Sequence, residues 1–169
     1  MNVRVVPVAL LRGALVAAAA CALTACGFHL EGSTALPRSI ALVRIETSDT
    51  ESDFYFGLRK ALIAAGTRID ESGHDDSATV IHVLNDLTTQ RILTVSALNV
   101  PTEYELSYQL KFSVTSQGRD LIAPETHTLV RDYNFSENEL LAKERETKIL
   151  SEALAHDLVS VVMRRLSSL

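Results

Sequence analysis

Few side chains in this sequence are placed to do chemistry, and the first is Cys26, which follows Leu23-Thr24-Ala25. A leucine and two small residues before a cysteine form the bacterial lipobox. There the sulfur takes a diacylglycerol through a thioether, the chain is cut just before it, and the freed amine is acylated. The preceding residues suit export: Arg4 and Arg12 are the only charges before Cys26, and an apolar, small-residue run fills Gly13 to Ala25. That run is about a dozen residues, short of the roughly 20 that a membrane span needs. Residues 1–25 are therefore expected to be a signal peptide and residues 26–39 a lipidated tether, with the lipid on Cys26 as the only adduct and no cofactor. Two or three acyl chains, each contributing about 0.8 kcal/mol per buried methylene, make a lasting anchor. Cys21 leaves with the leader, so no disulfide is expected. Gly27 stands where an Asp would mark inner-membrane retention, which points to the inner leaflet of the outer membrane.

Other reactive types form no constellation. His29, His74, His82, His127 and His156 lack H-E-x-x-H or C-x-x-C spacing, and no G-x-S-x-G, Walker or dinucleotide glycine pattern occurs. His74-Asp75-Asp76 lies in a Ser- and Gly-containing stretch that reads as a solvated loop. No metal site and no enzyme is expected.

Basic residues are the remaining candidates, because they are few. The chain has 16 Lys and Arg against 21 Asp and Glu, a net charge of −5. Loss of Arg4 and Arg12 leaves 14 against 21, or −7, on a mature chain of 169 − 25 = 144 residues. Such a balance argues against a general nucleic-acid or anionic-membrane surface, so an anionic ligand must be met by local residues. Arg91, Arg131, Lys143, Arg145 and Lys148 are candidates, since Lys and Arg are the natural partners of phosphate oxygens.

The elements that must carry them read as one domain over residues 40–169. Ile40 to Thr47 is a β-branched strand. Phe54, Leu58, Ala61, Leu62 and Ala65 share one helical face over 52–65, with Thr50 and Asp53 at capping-box spacing and Gly66 as its stop. A second strand runs from Ala78 to Ser96 with an irregularity at Asn85-Asp86. The third, Glu103 to Thr115, alternates Tyr104, Leu106, Tyr108, Leu110, Phe112 and Val114 with polar residues. Gly118 closes a hairpin into a fourth strand, Ile122 to Phe135, with Pro124 near its start or at a bulge. A last helix opens on Ser136 and Glu139 and buries Leu150, Ala153, Leu154, Leu158, Val161 and Val162. The expected class is α+β, a two-layer α/β sandwich in the order β-α-β-β-β-α. Its four-stranded, mostly antiparallel sheet carries both helices on one face.

Taken together, "LTACGFHLEG", "TEYELSY", "LVRDY" and "LLAKERE" resemble the LptE family of LPS-assembly lipoproteins over the whole chain. The resemblance implies a non-enzymatic outer-membrane lipoprotein that plugs the LptD β-barrel and helps deliver lipopolysaccharide to the surface, with four strands and two helices. It implies LPS contact through basic residues, onto which Lys143 in "LAKE" and Arg131 map. Some family members also place an Arg in the turn before the third strand, where this sequence has Ala97-Leu98-Asn99-Val100, so either Arg91 or another residue replaces it or the lipid contact is weaker. Many carry a tail past the last helix, whereas this sequence ends at Leu169. A generic periplasm-facing lipoprotein, acting as a structural or adaptor module of the envelope, is the alternative.

Overall fold

A computed structural model describes residues 36–134 and 140–169, with side chains of the last helix described from Arg145 onward. The leader, Cys26 and the Ser136–Glu139 cap lie outside the described residues. After a 3₁₀ turn at Arg38–Ile40 come β1 (Leu42–Glu46), α1 (Asp53–Ala64), β2 (Arg68–Ile69), β3 (Thr79–Val95), β4 (Pro101–Ser116), β5 (Arg119–Asn134) and α2 (Leu140–Ser167).

The α+β class and the two helices hold, but the sheet has five strands in the order β2-β1-β3-β4-β5 and is mixed. β1 pairs in parallel with both β2 and β3. The reason is topological: parallel neighbours need a long crossover, and the chain spends α1 on it. β2 escapes a pattern reading because two residues have no periodicity.

The cap of α1 also differs from expectation. Thr47 and Asp49 fold the preceding turn on themselves, and Ser52 becomes the N-cap, its Oγ accepting from Tyr55 N–H at 3.1 Å. At the other end Gly66 adopts φ +87°, and Thr67 N–H reaches the Leu62 carbonyl at 3.0 Å, a Schellman closure.

β3, β4 and β5 make an antiparallel meander of 17, 16 and 16 residues, so each strand spans roughly 50 Å. The register shifts between Val83 and Asn85, beside the expected irregularity. Pro124 sits opposite a second shift, between Phe112 and Val114, where its missing N–H breaks no ladder bond. Gln117 and Gly118 at φ +50° and +73° make the two-residue turn that matches strand twist.

Both helices lie on the face that carries Leu106, Leu110 and Phe112, and Phe54, Leu58 and Leu62 of α1 are fully buried. The buried stripe of α2 is Leu154, Ala155, Leu158, Val159, Val162, Met163 and Leu166, while Ala153 is exposed. The stripe is rotated from the expected one because α2 packs on α1 as well as on the sheet. Gly57 of α1 marks that contact: a Cβ there would lie 3.1 Å from Val159 Cγ2.

Candidate functional site

Opposed residues of paired strands share a face of the sheet, so the register sorts the candidates. Arg91 on β3 lies opposite Glu105 on β4, which lies opposite Asp132 on β5; this row stands on the face away from the helices. Arg131 lies opposite Leu106, which lies opposite Gln90, on the helix-covered face. Arg91 and Arg131 therefore occupy opposite faces and build no common patch.

Each is also engaged. Arg91 holds Glu105 through Nε to Oε1 at 2.5 Å and Nη2 to Oε2 at 2.8 Å. Hydrogen bonding to Arg91 lowers the Glu105 carboxyl below its ordinary value, and the same contact raises the guanidinium. The pair leaves Arg91 two-thirds exposed, so screening by water keeps its strength modest. Arg131 reaches Asp157 of α2, Nη2 to Oδ2 at 3.2 Å, with both side chains about half exposed. Lys143 lies in the first turn of α2, and its side chain is outside the described residues. Lys148 stands farther along the same helix, 3.8 Å from Glu152.

A polar seam beneath Arg131 has no signature in the sequence. Gln90 Nε2 donates to Tyr133 Oη at 2.6 Å, which meets Thr147 Oγ1 of α2 at 3.1 Å, while the Tyr133 ring stacks on Tyr104 at 5.6 Å. It pins the start of α2 to the far end of the meander. Tyr108 is buried on the same face, and burial, then the neighbouring Asp86 carboxylate, push its phenol above the ordinary range. Asp86 Oδ2 is itself buried, with no hydrogen-bond partner among the described residues.

The His74 loop is organised by Asp70. Its carboxylate accepts from Ser72 N–H and Oγ–H, Gly73 N–H and Arg44, and Arg44 Nη2 also donates to the Asp75 carbonyl. The Ser72 hydroxyl first and Arg44 second hold Asp70 well below the carboxylate range. His74 turns back on the Ser72 carbonyl, and Asp75 is tied to Ser77. Among the described residues no cluster of three His, Cys, Asp or Glu could hold a metal. No described helix is long and apolar enough to cross a membrane.

The face away from the helices is chiefly polar over β3 to β5. Asn85, Thr89, Ser107, Gln109, Lys111, Thr126 and Thr128 share it with Leu87 and Val130.

Comparison with known proteins places this geometry. The chain is similar to the LPS-assembly lipoprotein LptE of Pectobacterium atrosepticum, 24% identical over 141 residues that cover 83% of this chain and 76% of that protein. It is 23% identical to the LptE of Yersinia enterocolitica, over 83% of this chain and 68% of the relative. In fold it is similar to the solution structure of an uncharacterized lipoprotein B from Nitrosomonas europaea, with TM-score 0.68 and 22% identity over 84% of this chain and 91% of that one. Rare lipoprotein B from Shewanella oneidensis gives TM-score 0.66 and 21% identity over 75% and 94%. The family described as "LptE: Lipopolysaccharide-assembly" matches residues 38–166, nearly the whole described domain, and the chain belongs to that family.

Proposed function

We propose that the protein is a non-enzymatic, lipid-anchored subunit of lipopolysaccharide export, acylated at Cys26, held in the inner leaflet of the outer membrane and seated in the lumen of the LptD barrel. The observation that carries this reading is the open, polar face of the β3-β4-β5 meander. A barrel lumen of this kind is polar, so a domain filling it must present hydrogen-bonding side chains outward, and Asn85, Gln109, Thr126 and Thr128 do so on strands roughly 50 Å long. The anchor raises the effective concentration of the two partners by holding both in one membrane.

Lipopolysaccharide contact falls to Lys143, with Arg131 and Arg91 as further candidates. Since Arg91 and Arg131 stand on opposite faces, one phosphate cannot be bridged by both, and Lys143 at the start of α2 is assigned the principal role. Replacing Lys143 by Asp is expected to weaken binding of lipid A phosphates about tenfold or more with little change in melting temperature. Unchanged binding removes Lys143 from the site. Affinity purification from membranes tests the whole reading: LptD is expected to co-purify, and depletion to lower both mature LptD and surface lipopolysaccharide. Normal LptD without co-purification defeats the reading, and recovery of a different envelope protein in its place would mark an adaptor.

A further inference from the structure

Two clefts on the described surface are of similar size and opposite character. One, about 420 Å³ beside Arg44, is also lined by Glu46, Asp70 and Glu71, so its guanidinium is already neutralised. The other, about 390 Å³, lies between the 3₁₀ turn and the β4–β5 turn, and Arg38 and Arg119 line it with no carboxylate among its walls. Both arginines are exposed, and among the described residues neither has an acidic partner. In a protein of net charge −5, two unneutralised guanidinium groups on one concavity run against the overall field.

The cleft is also firmly held. Thr79, fully buried, lies with Oγ1 2.7 Å from the Ser39 carbonyl and 2.9 Å from Ser116 Oγ, tying the walls that carry Arg38 and Arg119. Ser116 and Arg119 are opposed in register next to the tight turn at Gln117-Gly118, so Arg119 projects from a fixed hairpin end. Ser39, Ser77 and Gln117 add further hydrogen-bonding groups to the lining.

Its place in the fold suggests the occupant. The Arg165–Glu125 and Arg131–Asp157 pairs show α2 running antiparallel to β5, so α2 ends near this cleft, with Arg164 exposed in its last turn. Arg68, opposite Leu42 at the start of β1, is exposed at the same end. The tether joins the domain here too: Cys26 lies 12 positions before Arg38, a reach of at most about 40 Å. Glu105, which faces Arg91, lies 11 residues along β4 from Ser116, roughly 35 Å, so this cleft is remote from Arg91 and from Arg131, which faces Leu106.

We propose that the Arg38–Arg119 cleft binds the phosphate of an anionic phospholipid headgroup in the leaflet that holds the tether. Two guanidinium groups converging on phosphate oxygens give charge-assisted hydrogen bonds, and serine hydroxyls suit a headgroup glycerol. Such a contact orients the domain on the membrane, which an acyl anchor alone does not. The membrane geometry rests on acylation of Cys26; the phosphate chemistry of the cleft does not.

The test uses the purified full mature protein in neutral maltoside micelles, with the arginine Nε–H and Gly118 amide signals followed by NMR. Phosphatidylglycerol, phosphatidylcholine and inorganic phosphate are titrated separately. Phosphatidylglycerol is expected to shift Arg38, Arg119 and Gly118, with phosphatidylcholine much weaker, and Arg38→Gln and Arg119→Gln each to cost about tenfold in affinity at an unchanged melting temperature. No shift with phosphatidylglycerol, or a shift that survives both substitutions, overturns the proposal. Equal response to inorganic phosphate overturns the lipid assignment in favour of a free-phosphate site. Mass spectrometry of the same sample reports acylation of Cys26 independently, so a failed anchor and a failed cleft give different results.

Discussion

Arg91 already spends two of its five N–H donors, and its charge, on the Glu105 carboxylate that a lipopolysaccharide phosphate would meet beside it. Glu105 therefore competes with the ligand. If Arg91 replaces the basic residue missing from the turn at residues 97–100, Glu105→Gln is expected to raise lipopolysaccharide affinity severalfold in a direct binding titration, and Arg91→Ala to lower it. Equal affinity in both variants removes Arg91 from the site. Asp70 makes a second prediction, of stability against pH. Its folded-state carboxyl lies below the ordinary value of 3.8, so its stabilising effect is present in full above that value and is lost as pH falls through the lower, folded one. The depressed carboxyls of Asp75 and Glu105 act in the same direction. Asp70→Asn is expected to lower the melting temperature at neutral pH and to flatten its decline below about pH 4. An unchanged acid profile would mean that the Arg44–Asp70 contact contributes nothing to the fold.

At the scale of elements, the sequence shows what is local and hides what is not. The alternation from Tyr104 to Val114 reveals β4 and its buried face, because strand period and burial are written in adjacent residues. The mixed sheet is not legible in this way: whether β1 lies parallel to β3 depends on where α1 returns the chain, and Arg68-Ile69 is too short to have a pattern. The rotated stripe of α2 has the same origin, since a helix facing both a sheet and another helix buries a wider arc than a single-face reading assigns. Gly57 is the contact that decides it. Substituting Gly57 by Leu is expected to cost about 1–3 kcal/mol in a urea melt, because the side chain must displace Val159. Gly57→Ala sets a helix-propensity gain of about 1 kcal/mol against the 3.1 Å approach to Val159 Cγ2. The same change is thus expected to be more favourable in a Val159→Ala background, and additive effects would place the two helices farther apart than this packing.

For the whole molecule, the question is what the two faces of the sheet are for. The helix-covered face is given mainly to the core, with polar groups at Asp86 and Tyr108 partway along and at Gln90, Tyr133 and Thr147 at the far end. Among the described residues no layer covers the other face, in a domain that had two helices available. Composition could not reveal this, because an acidic, polar surface is the default for any protein; only register shows that Thr89 beside Ser107, Gln109 beside Thr128 and Lys111 beside Thr126 form successive rows of one face. The basic candidates were legible as residue types, whereas their separation onto two faces and the Arg38–Arg119 cleft depend on residues far apart in the chain. If the open face lies against the barrel wall, a bulky residue there must block assembly while sparing the fold. Thr128 is exposed near the middle of β5, so Thr128→Trp is expected to leave the melting temperature within a few degrees of the parent, as surface changes do. The same variant is expected to lose most LptD in co-purification from membranes. Full recovery of LptD with Thr128→Trp would move the interface off the β3-β4-β5 face, leaving the helix-side surface to meet the barrel.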